Sequence, residues 1–170
     1  MHTLELEQQF ERQIKEHELL LRKVCRIYAF ADADRQDLFQ DIIIQLWQAY
    51  PKFKGEAKFS TWLYRVAINT AITGLRRKKN FVTLYEPANL PTHFSDDNSS
   101  QAEEERLQHL YKAIELLNEV EKAIIMLYME ERSYEEMEEI LGISQGTLRV
   151  KMNRIKDKLR HMTKTIHYGT

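Results

Sequence analysis

The chain has 170 residues, of which 43% are hydrophobic and 30% are charged, while only five are glycine and three are proline. This composition excludes a disordered chain and favours helices over sheets. The net charge of −1 does not exclude a nucleic-acid partner, because acidic and basic residues are segregated along the chain. Acidic residues collect in 86–105 and 130–139, and basic residues collect in 76–79 and 149–160.

A single cysteine, Cys25, excludes an internal disulfide. Within an apolar helical segment, it is better explained as a buried structural residue than as a redox or nucleophilic thiol. The sequence contains no recognisable signal peptide and no uninterrupted apolar run of membrane-spanning length. We therefore expect a cytoplasmic protein with no membrane insertion of its own.

The first half of the chain shows helical periodicity in three segments. A short loop containing Pro51 and Gly55 separates the second segment from the third. Ser60 or Thr61 is predicted to cap the third helix by accepting hydrogen bonds from its first amides. The three predicted helices are Leu4–Phe30, Arg35–Tyr50 and Ser60–Lys79.

The third predicted helix has two faces when it is wound at about 100° per residue. Its core face is apolar and consists of Leu63, Tyr64, Ala67, Ile68, Ala71, Ile72 and Leu75. Its second face is mixed and consists of Trp62, Arg65, Val66, Asn69, Thr70, Thr73, Arg76 and Arg77. This mixture suits melted DNA, because cations neutralise phosphates, a ring stacks on a base and an amide pairs with a base edge. From the wheel alone, DNA contact is no more favoured than an alternative in which Trp62 packs in the core and Asn69 bonds a loop carbonyl.

Residues 81–101 include Pro87, Pro91 and a run of Asp, Asn and Ser without helical periodicity, which is typical of a linker. We therefore predict an all-α protein of two small helical domains, residues 1–80 and 105–170, joined by a flexible acidic linker over residues 81–104. Four helices are predicted in the second half of the chain, namely Gln101–Leu117, Glu119–Glu130, Ser133–Leu141 and Gln145–Met162, and the first of them overlaps the last residues of the linker.

The last two predicted helices have the signature of a helix-turn-helix motif. Ser133 and Glu136 have the spacing of a capping box, and Ser144 lies where the final helix needs its own cap. The intervening "LGIS" is a short turn that contains glycine. In such a motif the second helix enters the major groove of DNA.

The final helix carries an inward apolar stripe and a basic remainder. The stripe has alternating spacings of four and three and consists of Leu148, Met152, Ile155, Leu159 and Met162. The remaining surface is polar and basic, with Gln145, Thr147, Arg149, Lys151, Asn153, Arg154, Lys156 and Lys158. A solvated face is the ordinary explanation for such residues. The preceding helix carries glutamate at 135, 136, 138 and 139, so the asymmetry favours DNA contact.

The runs "DLFQDIIIQLW", "FKGEAKFSTWLYRVAINTAITGLRRKK" and "LNEVEKAIIMLYMEERSYEEMEEILGISQGTLRVKMNRIKDKL" resemble those of bacterial sigma factors of the extracytoplasmic-function (ECF) type. The resemblance extends over residues 10–162. It implies a dissociable subunit of RNA polymerase that directs promoter recognition, promoter melting and transcription initiation. The first domain would bind core polymerase and the −10 element, and the second domain would read the −35 element as duplex. An anti-sigma partner is also implied.

The resemblance assigns three sets of residues. The core-polymerase-binding set consists of Asp37, Gln40, Asp41, Gln45 and Trp47. The −10 set consists of Phe53, Lys58, Trp62, Arg65, Asn69, Arg76 and Arg77, among which Phe53 and Asn69 match positions that line a pocket for a flipped-out base. The −35 set consists of Ser144, Gln145, Thr147, Arg149, Lys151 and Arg154.

The chain differs from many relatives of this type at two places. Thr73 and Gly74 follow the Asn-Thr-Ala run where an aspartate is common, and Asn118 follows Leu117 where proline is common. Glycine within a helix costs about 1 kcal/mol relative to alanine. We therefore expect the third helix to bend or end early at Gly74.

An alternative function is a stand-alone helix-turn-helix regulator that binds duplex DNA without core polymerase. A dimerisation helix would not need Phe53, Trp62 and Asn69, and a flexible linker suits fixed half-site spacing poorly. The histidines are scattered, no Cys or His pair has metal-ligand spacing, and no glycine-rich phosphate loop is present. We therefore expect no cofactor, no metal site and no catalytic activity.

Overall fold

The computed structural model describes residues 2–81 and 101–168, which form eight α-helices and one 3-10 turn and contain no strand. The chain divides into two units, Met1–Ala88 and Asn89–Thr170. The helices of the first unit are α1 (His2–Glu16), α2 (Glu18–Tyr28), α3 (Asp32–Ala49) and α4 (Phe59–Phe81), with the 3-10 turn at Tyr50–Lys52. The helices of the second unit are α5 (Gln101–Glu115), α6 (Glu119–Met129), α7 (Tyr134–Leu141) and α8 (Gln145–Tyr168).

The predicted all-α class with two helical regions is confirmed. The predicted linker, residues 81–104, overlaps helices at both ends, because Phe81 belongs to α4 and residues 101–104 belong to α5. Its other residues, 82–100, lie outside the described part of the chain. The final helix extends six residues beyond its predicted end at Met162 and reaches Tyr168.

The single long helix predicted over Leu4–Phe30 is wrong, because the chain breaks at His17 into α1 and α2. The His17 ring Nδ1 lies 2.8 Å from the carbonyl oxygen of Gln13, which is a hydrogen-bond acceptor at the end of α1. The same ring packs against Phe59 with 5.2 Å between ring centroids. The break in the helix is therefore accompanied by a tertiary contact that helical periodicity does not reveal.

The core of the first unit is formed where α2, α3 and α4 pack against one another. Their inward apolar side chains are removed from solvent, which is the main favourable term in folding. Side chains with no exposed surface include Leu21, Val24, Ile42, Leu46, Leu63 and Ala67.

Helix α4 differs from its prediction at both ends. It begins at Phe59, and the Trp62 amide donates to the Lys58 carbonyl at 3.1 Å. Ser60 and Thr61 therefore lie in the first turn, so the prediction that one of them caps the helix is wrong. The helix continues past Gly74 to Phe81, so the predicted early end is wrong as well. Packing of the apolar face against α2 and α3 offsets the cost of one glycine.

In the second unit, α8 packs against α5, α6 and α7. Helix α6 begins after Asn118, whose side chain accepts a hydrogen bond from the Glu121 amide at 2.8 Å. Asn118 therefore serves as the N-cap of α6. Deeply buried apolar side chains of this unit include Ile114, Ile124, Leu127, Met137, Leu148, Met152 and Ile155.

Candidate nucleic-acid and polymerase interfaces

An aromatic cluster lies at the start of α4. The Trp62 ring lies 5.0 Å from Phe53 and 5.4 Å from Phe59, measured between ring centroids, and Phe53 and Phe59 are 5.6 Å apart. Tyr50, the first residue of the 3-10 turn, contacts Trp62 with 6.3 Å between ring centroids. Trp62 and Phe53 are both half-buried. Trp62 is therefore partly packed, as the structural alternative expected, while part of its ring remains available on the surface.

The outward face of α4 agrees with the predicted wheel. Leu63, Tyr64 and Ala67 on the core face are at most 1% exposed, whereas Arg65 and Asn69 are exposed. The exposed side chains of this face are those of Arg65, Asn69, Thr73, Arg76 and Arg77, and Lys58 is exposed in the loop directly before it. Thr70 is half-buried, and its hydroxyl donates to the Val66 carbonyl at 2.7 Å.

Asn69 lies two turns beyond Trp62 along α4, a rise of roughly 10 Å. The structure therefore brings Phe53 and Trp62 into contact and presents Asn69 further along the helix that carries Trp62. The resulting surface combines partly exposed rings, an amide and cations. Proteins that bind unpaired bases combine aromatic stacking surfaces with cations along the phosphate backbone.

The helix-turn-helix motif of the second unit is built as predicted. The Ser133 hydroxyl accepts from the Glu136 amide at 3.1 Å and caps α7. Gly142 ends α7 with a φ of 70°, a left-handed conformation that glycine adopts without steric cost, and its amide donates to the Glu138 carbonyl at 2.8 Å.

Ser144 acts at the first turn of α8. Its hydroxyl donates to the Thr147 hydroxyl at 2.9 Å and accepts from the Thr147 amide at 3.4 Å. The amide bond is long, so the hydroxyl pair is the stronger of the two interactions. Ser144 is thus occupied locally, and its contact with DNA stays a prediction.

The start of α8 presents a basic surface. Thr147, Arg149 and Arg154 are exposed, while Gln145 and Lys151 are half-buried. The Arg149 guanidinium lies 5.0 Å from the centre of the Tyr134 ring on α7, a cation–π contact that limits its motion. Sequence reasoning missed Tyr134, although an aromatic residue directly after the Ser133 cap was a visible signal.

Two lysines further along α8 have partners within the second unit. The Lys158 ammonium donates to both carboxylate oxygens of Glu121 at 2.8 and 2.9 Å, and the Glu121 side chain is only 11% exposed. The Lys156 ammonium donates to the Tyr128 hydroxyl at 3.1 Å. The predicted basic surface of α8 is therefore best formed near the start of the helix.

Helix α3 carries the predicted polymerase-binding residues. Asp37, Gln40, Asp41 and Gln45 are exposed on its outer side. Trp47 differs from them, because it is half-buried with its ring 5.1 Å from that of Phe10 on α1. The structure therefore groups four of the five predicted residues on one open face and packs the fifth against a neighbouring helix.

Cys25 lies in the core of the first unit and is 3% exposed. Burial raises the pKa of its thiol to about 11, with smaller opposing effects from Arg22 and Arg35. The thiol therefore stays protonated near neutral pH, which agrees with the predicted structural role.

Within residues 2–81 and 101–168, no cluster of three or more His, Cys, Asp or Glu could hold a metal ion. No helix in the same ranges is both long and apolar enough to span a membrane.

Taken together, these features define a helical DNA-binding protein whose second unit carries a helix-turn-helix with a basic recognition helix. The first unit adds a surface of aromatic, amide and arginine groups on α4 that a motif for duplex DNA does not itself require.

Comparison with known protein families shows which kind of DNA-binding protein this is. The sigma-70 region 2 model matches residues 13–81, and the sigma-70 region 4 model matches residues 107–159. The ECF RNA polymerase sigma-E factor of Escherichia coli (strain K12) is 30% identical over 137 residues, which cover 74% of this chain and 72% of that protein. That of Haemophilus influenzae is 32% identical over 139 residues, with coverages of 75% and 74%. The chain therefore belongs to the ECF sigma factors, the subunits of RNA polymerase that direct transcription initiation.

Solved structures show the same fold. The sigma factor RpoE of Bartonella quintana, in complex with the anti-sigma factor NepR, has a TM-score of 0.75 and 21% identity, and the match covers 92% of this chain and 97% of that one. CnrH, in complex with the cytosolic domain of CnrY, has a TM-score of 0.66 and 18% identity, with coverages of 94% and 90%.

Proposed function

We propose that this sigma factor joins core RNA polymerase through α3, opens the −10 element with the surface of α4, and reads the −35 element with α8. The observation that carries the proposal is the grouping of Phe53 and Trp62 beside a helix face with exposed Arg65 and Asn69. A stand-alone regulator is not favoured, because it leaves this surface and the region 2 match of residues 13–81 unexplained.

At the −10 element, we propose that Phe53 and Asn69 hold a flipped-out base of the melted strand. Flipping costs a few kcal/mol of unstacking, and stacking on an aromatic ring returns about 1–3 kcal/mol per base. The exposed part of Trp62 offers a second stacking surface. The cations of the same surface, Lys58, Arg65, Arg76 and Arg77, would neutralise phosphates and supply the salt-dependent part of the affinity.

At the −35 element, we propose that the start of α8 lies in the major groove. Arg149 and Arg154 are the exposed cations of this stretch, and Thr147 lies beside them in the first turn. Contact with Tyr134 holds Arg149 in place before DNA arrives, which lowers the entropic cost of binding. Gln145 and Lys151 are assigned to the periphery of the contact because they are half-buried.

For core polymerase, we propose that Asp37, Gln40, Asp41 and Gln45 form the contact on α3. Trp47 supports this surface from behind through its contact with Phe10, and its direct contact with core stays a prediction.

The division into domains 1–80 and 105–170, with the acidic linker 81–104 passing through the polymerase, is likewise part of the proposal.

We further propose an anti-sigma partner, since solved relatives such as RpoE of Bartonella quintana are complexes with anti-sigma factors. The protein is expected to act in the cytoplasm, where the promoter and polymerase are found. It is expected to have no catalytic activity of its own, because sigma factors are DNA-recognition subunits of the polymerase. Metal- or nucleotide-dependent turnover by the isolated chain would contradict this expectation.

The proposal is tested by runoff transcription with the full chain and purified core polymerase. We expect promoter-specific transcripts only when both are present, and no sequence-specific duplex binding by the chain alone at physiological salt. Specific duplex binding without core, combined with no transcripts when core is added, would instead establish the stand-alone regulator.

A further inference from the structure

Ile44 is the one large apolar side chain of α3 that is exposed. Its side chain is 51% exposed, although Ile42 in the same run is fully buried. An isoleucine with half of its surface exposed adds less to the core than the buried Ile42, and its branched side chain loses rotamer freedom in a helix. Neither packing of the first unit nor helix propensity therefore accounts for an isoleucine at this position.

The residues around Ile44 are polar and exposed. Gln40 and Asp41 lie four and three residues before it, and Gln48 lies four residues after it, so all three adjoin it on the helix surface. Asp37 is two turns before it, and Gln45 is next to it in sequence. Trp47, three residues after Ile44, is half-buried against Phe10, so the exposed neighbours of Ile44 are amides and carboxylates.

We propose that Ile44 is the apolar anchor of the contact with core RNA polymerase, and that it enters an apolar pocket of core bordered by cationic side chains. This inference rests on the proposed function, in which α3 binds core. Protein interfaces concentrate their affinity in a few central side chains, and a surrounding ring of polar contacts excludes water from them. The cationic border is inferred from Asp37 and Asp41, which flank the anchor.

Other occupants fit this surface less well. DNA is disfavoured because the carboxylates of Asp37 and Asp41 would face phosphates. A second copy of the chain, joined across a two-fold axis, would bring the same carboxylates toward each other. A protein partner with an apolar pocket and cations at its rim satisfies both the isoleucine and the acidic residues.

The test uses the full chain and purified core polymerase, with affinity measured by competition against a labelled sigma factor. We expect Ile44→Ala to weaken core binding roughly tenfold, which corresponds to about 1.4 kcal/mol, and Ile44→Lys to weaken it further. The melting temperature of Ile44→Ala should equal that of the natural chain, because the position is half exposed. Leu19→Ala is the matched control, since Leu19 is 76% exposed on the neighbouring α2, and it should leave affinity unchanged.

Three results would overturn the inference, and Asp41→Arg shows which of them also overturns the proposed function. If Asp41→Arg weakens core binding but Ile44→Ala does not, α3 binds core and Ile44 is not its anchor. If Ile44→Ala lowers the melting temperature together with the affinity, Ile44 acts in folding. If neither substitution changes the affinity, α3 is not the core contact and the proposed function fails with the inference.

Discussion

Asn69 is exposed on α4 between two arginines of the same face, Arg65 and Arg76. Because its amide is outside the core, we expect Asn69→Ala to lose promoter opening while core affinity and thermal stability are retained. Permanganate reactivity of thymines in the −10 element measures opening in the holoenzyme. Thr73→Ala, one turn further along the same exposed face, is the matched control and should open normally.

Phe53→Ala should lose opening in the same assay, but Phe53 also packs against Trp62 and Phe59. Its stability must therefore be measured alongside opening. Normal opening in both Asn69→Ala and Phe53→Ala would reassign these two residues to a structural role.

Arg149 is the side chain of α8 for which the structure gives the most specific expectation. If it reads a base, Arg149→Ala should weaken −35 binding by about 1–3 kcal/mol and relax sequence preference at one position. If it contacts only phosphate, the loss should be uniform across promoter variants. Holoenzyme binding to a set of promoters altered in the −35 element distinguishes the two.

Arg160→Ala is the control for this measurement. Arg160 lies on the same helix but is exposed and paired with Asp157 at 3.5 Å, well beyond the start of α8. Its loss should leave promoter affinity nearly unchanged. Equal losses for Arg149→Ala and Arg160→Ala would show a diffuse electrostatic effect and contradict a specific role for Arg149.

At the scale of a helix, α4 tolerates Gly74 in its interior, and a Cβ built there meets no described atom within 4 Å. Gly74→Ala should therefore stabilise the first unit by about 0.4–1 kcal/mol, because it reduces the conformational freedom of the unfolded chain. Urea unfolding followed by tryptophan fluorescence reports on this unit, since both tryptophans, Trp47 and Trp62, belong to it.

Gly142→Ala in the second unit should have the opposite effect on stability. Its φ of 70° is strained for alanine even though space is available, so a loss of about 1–2 kcal/mol is expected. Because this unit has no tryptophan, its loss of stability should appear in the circular dichroism transition of the full chain and not in the tryptophan fluorescence. For the first unit, destabilisation by Gly74→Ala would contradict the expected gain and show that α4 is not a regular helix at Gly74.

Helix α1 is anchored to the rest of the first unit by Phe10, which is 8% exposed and contacts Trp47 and Tyr50 at 5.1 and 5.2 Å. Phe10→Ala should destabilise this unit by roughly 3 kcal/mol through lost burial and a cavity. The urea midpoint of tryptophan fluorescence measures the loss. Leu4→Ala on the same helix should change little, because Leu4 is 63% exposed. An unchanged midpoint for Phe10→Ala would mean that α1 is not docked.

For the whole molecule, each unit has its own buried apolar core. We therefore expect fragments 1–81 and 101–170 to fold separately, each with helical circular dichroism and a cooperative thermal transition. Fragment 1–81 should retain the tryptophan emission of the full chain. A fragment that unfolds without cooperativity would show that the division at the linker does not separate independent domains.

Much of the architecture was predictable because it depends on local spacing. The core face of α4 and the inward stripe of α8 follow from helical periodicity, and Ser133 and Gly142 specify the ends of α7 through their own hydrogen bonding and backbone freedom. These features involve residues within a few positions of one another. The polar residues of α3 and the exposed amide of Asn69 could likewise be assigned to surfaces before their surroundings were known.

The remaining features depend on residues far apart in the chain. The break at His17 accompanies a contact with Phe59, and the partial burial of Trp47 depends on Phe10, 37 residues earlier. The degree of exposure of Ile44, 51%, likewise depends on how α3 packs against α2 and α4. Sequence alone thus determined which segments are helical and which faces are apolar. Only tertiary packing decided which aromatic rings are covered and which apolar side chains stay exposed.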